Sequence, residues 1–90
     1  MLLNEDLNDK IDKFYKCLGL MMKAERLAQN LTLEQVASEV GLTAKGLQRY
    51  ETGERKINLF MLFQIGSALD INTIGLLTDM QLFHSQLCEN

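Results

Sequence analysis

The sequence of 90 residues contains no proline, no tryptophan, one histidine and two cysteines. The cysteines, Cys17 and Cys88, are far apart and match neither a zinc-ligand nor a redox spacing, so we expect both thiols to be reduced and structurally ordinary. His84 stands alone, which leaves no histidine cluster for a metal and no catalytic triad of the serine type. We therefore expect no metal site, no cofactor and no enzymatic activity.

Long apolar runs are also missing from the sequence. No stretch approaches the roughly 20 apolar residues that are needed to cross a bilayer. Residues 1–12 carry four acids and one lysine, which is the wrong charge for a secretory signal peptide. These features predict a cytoplasmic protein without membrane contact. The length predicts a single domain, 1–90, which is small enough to gain stability by oligomerising.

Charge is unevenly distributed along the chain, although its total is only −3. Residues 1–12 have a net charge of −3, residues 13–56 have eight basic and five acidic groups, and residues 57–90 have three acids and no lysine or arginine. Because phosphate binding depends on the local face and not on the total, the basic middle of the chain is compatible with nucleic acid. An ordinary solvated surface would give the same counts.

Apolar residues recur in steps of three and four along the chain, which is typical of helices with one buried face, and no strand-like alternation is present. The first helix is predicted over 5–29, with Asn4 as its N-cap and Gly19 as a candidate break that would divide it in two. The further helices are predicted at 33–40, at 44–52, over about 59–69 and from about Thr73 either through Leu77 or on to Leu87. The pattern predicts an all-α fold of five or six helices.

Capping residues mark the ends of the second and third predicted helices. Thr32 followed by Gln35 forms a capping-box pattern, and Thr43 is a suitable N-cap for the third helix. Gly41 and Gly53 follow the two helices, as glycine does where a left-handed residue ends a helix. Only residues 41–43 separate the two helices. This spacing predicts a helix-turn-helix, which presents its second helix to a DNA major groove.

Two segments of the chain, in this order and at this spacing, resemble the Cro/lambda-repressor (Xre-like) helix-turn-helix family: residues 31–43 (LTLEQVASEVGLT) and residues 47–53 (LQRYETG). The resemblance extends from about Leu18 to Leu77. It implies a lambda-repressor-like domain with a helix-turn-helix core at 18–77, an N-terminal helical extension at 1–17 and a C-terminal helical tail at 78–90.

The resemblance also implies which residues touch DNA. Five lie at the start and along the outer face of the recognition helix and two lie in the loop after it: Thr43, Ala44, Lys45, Gln48, Arg49, Arg55 and Lys56. Lys45 and Arg49 have the chemistry to read guanine, whose O6 and N7 accept hydrogen bonds. Arg55 and Lys56 are expected to hold phosphates. Without the motif, the same charges would be interpreted as a solvated surface.

Two further residues match a family ion pair that ties the first helix to the end of the recognition helix. They are Arg26 and Glu51, and we predict that the pair is partly buried. Two positions depart from the family pattern. Leu33 stands where the family often has a glutamine that contacts DNA, and Gly46 lies inside the recognition helix at a cost of about 1 kcal/mol relative to alanine.

The function implied by the resemblance is sequence-specific binding of double-stranded DNA by a transcriptional regulator. We expect a repressor of a phage, plasmid, toxin–antitoxin or restriction–modification operon. One recognition helix reads few base pairs, so a homodimer on a pseudo-palindromic operator is expected. Apolar residues at both ends are the candidate dimer interface, first Met80, Leu82, Phe83 and Leu87, then Leu2, Leu3 and Leu7. The alternative is a protein-interaction module on the same fold without specific DNA binding, which the acidic pI of about 5.0 would suit.

Overall fold

The computed structural model of the protein describes residues 4–78, and this part of the chain is helical without a strand. The first four helices are α1 (Asn4–Ala28), α2 (Leu33–Glu39), α3 (Ala44–Thr52) and α4 (Leu59–Ala68). A fifth, α5, begins at Thr73 and is helical through residue 78, where the described part ends. The predicted all-α fold is confirmed, and residues 4–78 contain five of the five or six expected helices.

The helix α1 is continuous, so the predicted break at Gly19 is wrong, and Asn4 is part of the helix. Gly19 serves the packing of α1 against α3. A Cβ atom added there would lie 2.6 Å from the carbonyl carbon of Glu51 and 2.6 Å from the carbonyl oxygen of Tyr50. The glycine therefore lets the backbone of α1 cross the C-terminal end of α3 at close range. The intrinsic cost of a helical glycine is about 1 kcal/mol, which the packing of neighbouring core residues offsets.

The predicted caps of α2 and α3 are confirmed. The hydroxyl of Thr32 accepts a hydrogen bond from the backbone N–H of Gln35 (3.1 Å), whose side chain accepts one from the Thr32 N–H (2.8 Å). The Thr43 hydroxyl accepts from the N–H of Gly46 at 3.0 Å. Gly53 ends α3 in the left-handed conformation with a φ of 77°. These local contacts satisfy backbone groups at the helix ends that have no partner within the helix.

One apolar core joins the helices. The helices contribute the inward-facing residues of their periods and the segments at their ends contribute the rest: Leu18, Met22, Val36, Ala37, Val40, Leu47, Tyr50, Ile57, Leu62, Ile65, Leu69 and Leu76. By contrast, residues 6–13 are all exposed. The first turns of α1 therefore extend beyond the core, and the contacts of α1 with the core begin at Phe14. The division into an extension at 1–17, a core at 18–77 and a tail at 78–90 stays a prediction, since nearly all of the tail lies outside the described residues.

Candidate nucleic-acid interface

The turn between α2 and α3 is held by backbone contacts and by burial. The N–H of Leu42 donates to the carbonyl of Ala37 at 2.9 Å, and Gly41 takes a φ of 71°. The buried residues of α2, Val36 and Ala37, face the core beside Leu47 of α3. The two helices are thus fixed to each other and to the core, so the outer face of α3 has a defined orientation.

The outer face of α3 carries the residues that the sequence predicts for DNA contact. Leu47 and Tyr50 are buried, whereas Lys45, Gln48 and Arg49 are exposed. Lys45 and Arg49 are four residues apart, so they lie on one side of the helix. Among the described residues, neither of these two side chains takes part in an ion pair. Their charged groups are therefore available to a ligand that approaches this face.

The first turn of α3 is also positioned for an approaching ligand. Thr43 is exposed and Ala44 is half-buried. The Thr43 hydroxyl is engaged with the N–H of Gly46. The Thr43 backbone directly precedes the first turn of α3, and the first turn is the part of a recognition helix that reaches base edges. Leu33, at the start of α2, is half-buried against the core and offers no polar atom in its side chain.

The two basic residues in the loop after α3 contact different partners. The guanidinium carbon of Arg55 lies 5.4 Å from the centroid of the Tyr50 ring, and the Arg55 backbone N–H donates to the carbonyl of Arg49 at 3.1 Å. The Lys56 ammonium lies 3.2 Å from a carboxylate oxygen of Asp12 on α1. Buried Ile57 anchors the loop directly after them. Sequence reasoning had placed both cations beside DNA, but it had not identified Tyr50 or Asp12 as their partners.

Arg26 and Glu51 meet in the core between α1 and α3. The Arg26 Nε donates to one carboxylate oxygen of Glu51 at 2.8 Å and a terminal nitrogen donates to the other at 3.1 Å. The other terminal nitrogen donates to the carbonyl of Leu31 at 2.8 Å. The residues are only 6% and 4% exposed, so the pair is more fully buried than the sequence had led us to expect.

The contacts of Arg26 determine the direction in which its pKa is shifted. The hydrogen bonds to Glu51 raise the pKa of the Arg26 guanidinium, and the negative charges of Glu51 and Glu34 act in the same direction against the opposing effect of burial. The Arg26 guanidinium is consequently held in its charged form. A bidentate arginine–carboxylate contact is among the stronger polar contacts in proteins, and here it fixes the end of the recognition helix to α1.

Several residues considered in the sequence lie outside the described residues, namely His84, Cys88, Leu2, Leu3, Met80, Leu82, Phe83 and Leu87. Leu7, the remaining member of the second candidate dimer interface, is 49% exposed. Within residues 4–78, no group of three or more acidic, histidine or cysteine side chains is arranged to hold a metal ion. Nor does any helix in that range combine the length and apolarity that a membrane span requires.

Comparison with known proteins identifies this arrangement. The model of the Helix-turn-helix family matches residues 22–76. Two curated proteins, each an uncharacterized HTH-type transcriptional regulator, are 35% identical over 65 residues. The one from Rickettsia conorii (strain ATCC VR-613 / Malish 7) aligns over 72% of this chain and 52% of its own length. The one from Rickettsia prowazekii (strain Madrid E) aligns over 72% and 50%. The chain thus spans about half the length of these relatives.

The fold is also similar to two crystal structures of the clp gene regulator ClgR from Corynebacterium glutamicum. One superposes with a TM-score of 0.71 at 19% identity and covers 76% of this chain and 88% of its own. The other superposes with a TM-score of 0.77 at 17% identity and covers 84% and 81%. At such low identity the likeness concerns the fold alone.

Proposed function

The chain belongs to the Cro/C1-type (Xre-like) helix-turn-helix family, a family of DNA-binding transcriptional regulators and not of enzymes, and from this premise we propose that it is a dimeric repressor that reads the major groove with α3. The observation that carries the proposal is the division of α3 into two faces. Leu47 and Tyr50 are buried in the core, while Lys45 and Arg49 project from the exposed face. A helix fits the major groove by size, and these side chains can donate to base acceptors there.

The residues proposed for DNA contact have two separate tasks. Arg49 and Lys45 read bases, with Gln48, Thr43 and Ala44 beside them on the same helix. Arg55 and Lys56 attract phosphates, which carry no sequence information but dominate the affinity. The proposal is supported by the exposure of the polar and charged members of both groups and by the anchoring of Arg55 on the Tyr50 ring.

We propose a homodimer because a single recognition helix contacts too few base pairs for useful specificity. Two-fold symmetry would set two copies of α3 about 34 Å apart, on successive major grooves of one DNA face. A pseudo-palindromic operator follows from that symmetry. The operon regulated would be of the phage, plasmid, toxin–antitoxin or restriction–modification type, and the protein would act in the cytoplasm, where it meets its operator.

A second candidate function is supported by the exposed apolar surface of α4. Phe60 is 70% exposed, Leu59 is 62% exposed, and Phe63 lies one turn further along the helix. Contiguous exposed apolar groups often mark a protein contact. On this alternative the fold serves as a protein-interaction module without specific DNA binding.

Selection of bound sequences from a random duplex library, followed by footprinting, separates the two functions. A repressor of the proposed kind should enrich a pseudo-palindrome whose half-sites are about 10–10.5 base pairs apart from centre to centre. The absence of any duplex binding, even at low salt, would contradict the proposed function and favour the interaction module. Binding that never enriches a sequence would also contradict specific recognition.

A further inference from the structure

Asp12 on α1 contacts the loop that is proposed to hold DNA phosphates. Its carboxylate oxygen lies 3.2 Å from the Lys56 ammonium, and the two side chains are 55% and 56% exposed. Among the described cations proposed to contact DNA, Lys56 is the one paired with a carboxylate. Lys45 and Arg49 take part in no ion pair within residues 4–78, and Arg55 lies over a ring.

We propose that Asp12 sets the DNA affinity of this protein by competing with phosphate for Lys56. An ammonium group has three N–H donors and can contact a carboxylate and a phosphate together, but the nearby negative charge of Asp12 offsets part of its attraction for phosphate. Lys56 therefore binds a phosphate at full strength only when it leaves Asp12. This inference rests on the proposed function, because it assumes that the loop approaches phosphates.

The effect should be modest and independent of sequence. An exposed ion pair is weak, so the loss of Asp12 should raise duplex affinity by about two- to fivefold. Because phosphate contacts carry no base information, cognate and scrambled duplexes should gain equally. The salt dependence should change as well. A phosphate that Lys56 neutralises fully releases its condensed counterion, whereas a phosphate that competes with Asp12 for the same charge is neutralised less, so removal of Asp12 should steepen the salt slope by up to about 0.9.

Asp9 provides a matched control on the same helix. It is one turn before Asp12, and its carboxylate pairs with Lys13 at 3.5 Å in a position that is somewhat more exposed. Asp9→Asn and Asp12→Asn therefore remove the same charge and one surface ion pair each, but Lys13 is not among the residues proposed to contact DNA. A general decrease in repulsion would act similarly on both variants, whereas competition for Lys56 would act on Asp12→Asn alone.

The experiment measures dissociation constants of the full chain for a short mixed-sequence duplex, from about 50 to about 200 mM salt. The proteins are the wild type, Asp12→Asn, Asp9→Asn, Lys56→Gln and Asp12→Asn/Lys56→Gln, each checked for an unchanged thermal midpoint. We expect Asp12→Asn to bind about two- to fivefold more tightly with a steeper salt slope, and Asp9→Asn to change affinity by less than about twofold. In the Lys56→Gln background, Asp12→Asn should no longer increase affinity.

Three outcomes would overturn the inference. Equal gains for Asp12→Asn and Asp9→Asn would show a general charge effect. A gain that persists in the Lys56→Gln background would show direct repulsion between Asp12 and DNA without competition for Lys56. In both of these cases the wild type still binds DNA, so the proposed function survives. If no protein of the set binds duplex at any salt concentration, the inference and the proposed function fail together.

Discussion

Replacement of Glu51 by alanine should destabilise the protein severely. In the native structure the Glu51 carboxylate accepts two hydrogen bonds from Arg26 at 2.8 and 3.1 Å, deep between α1 and α3. After the substitution the guanidinium stays buried with a single described acceptor, the carbonyl of Leu31. An arginine cannot escape this situation by losing its proton, because its pKa is far above any working pH.

The magnitude follows from the burial of the pair. Removal of one partner of a buried ion pair costs about 3–5 kcal/mol, because one charge is left uncompensated, whereas an exposed pair is worth about 0–1 kcal/mol. Arg26 and Glu51 are only 6% and 4% exposed, so solvent screening gives little discount. Small domains have a total stability of about 5–15 kcal/mol, and this chain is at the small end in size. We therefore expect Glu51→Ala to lower Tm by roughly 12–24 °C, if the loss is about 3 kcal/mol.

The assay is urea unfolding followed by far-ultraviolet circular dichroism, for Glu51→Ala, Arg26→Ala and the double variant. The double variant should lose less stability than the sum of the single variants, because no uncompensated charge is left in its core. Asp9→Ala is the control, since it breaks an exposed pair with Lys13 and should cost about 1 kcal/mol or less. Additive losses in the cycle, or equal losses for Asp9→Ala and Glu51→Ala, would refute the argument.

The raised pKa of Arg26 also predicts how the stability lost in Glu51→Ala depends on pH in the alkaline range. The folded-state pKa of Arg26 is raised above its ordinary value, chiefly by the hydrogen bonds to Glu51. A group with a raised pKa stabilises the fold at every pH below its unfolded pKa and loses this contribution only as the pH rises through the folded pKa. For an arginine that range is beyond working conditions. The difference in stability between the wild type and Glu51→Ala should therefore stay constant from about pH 7 to about pH 10, and a deficit that shrinks over this interval would contradict the assignment.

Three other predictions concern the DNA-binding face, the packing of α1 and the assembly. Arg49→Ala should cost about 1–3 kcal/mol on a cognate site and reduce the cognate-to-scrambled ratio, whereas Lys56→Ala should weaken both duplexes similarly and lower the salt slope by up to about 1. Titrations across a salt series check this, and the reverse pattern would refute the assignment. Gly19→Ala should cost about 1–3 kcal/mol in urea unfolding, because the new Cβ would meet the backbone of Glu51. Gly46→Ala should change stability by less than about 1 kcal/mol, because its Cβ would meet a side-chain hydroxyl at 3.2 Å and no backbone atom; equal effects would argue against the close crossing of α1 and α3. Light scattering of the protein on its selected operator should give two chains per site, and a monomer protecting an isolated half-site would contradict the dimer.

The sequence by itself determined the helix-turn-helix, because the signals for that unit are local. Thr32 and Gln35 are three residues apart, and both halves of their capping box are present in the structure. Gly41 and Gly53 end their helices in the left-handed conformation that the sequence predicted. The exposed and buried faces of α3 also follow from residue spacing, since a helix repeats every 3.6 residues. Arg26 and Glu51 were paired by family resemblance, and no local pattern would have joined them.

Only the tertiary structure decided the contacts between residues that are distant in sequence. Gly19 suggested a break, yet α1 continues because Leu18 and Met22 on either side are buried in the core and the glycine admits the α3 backbone. Asp12 and Lys56 are both exposed, and exposed charges leave no periodic trace in a sequence. Their contact depends on how far α1 extends past the core and where the loop after α3 returns to it. The residues proposed to contact DNA were thus named from the family resemblance, and local spacing predicted the exposed face of α3 on which some of them lie. The carboxylate proposed to compete for one of them emerged only from the packing of α1 against that loop.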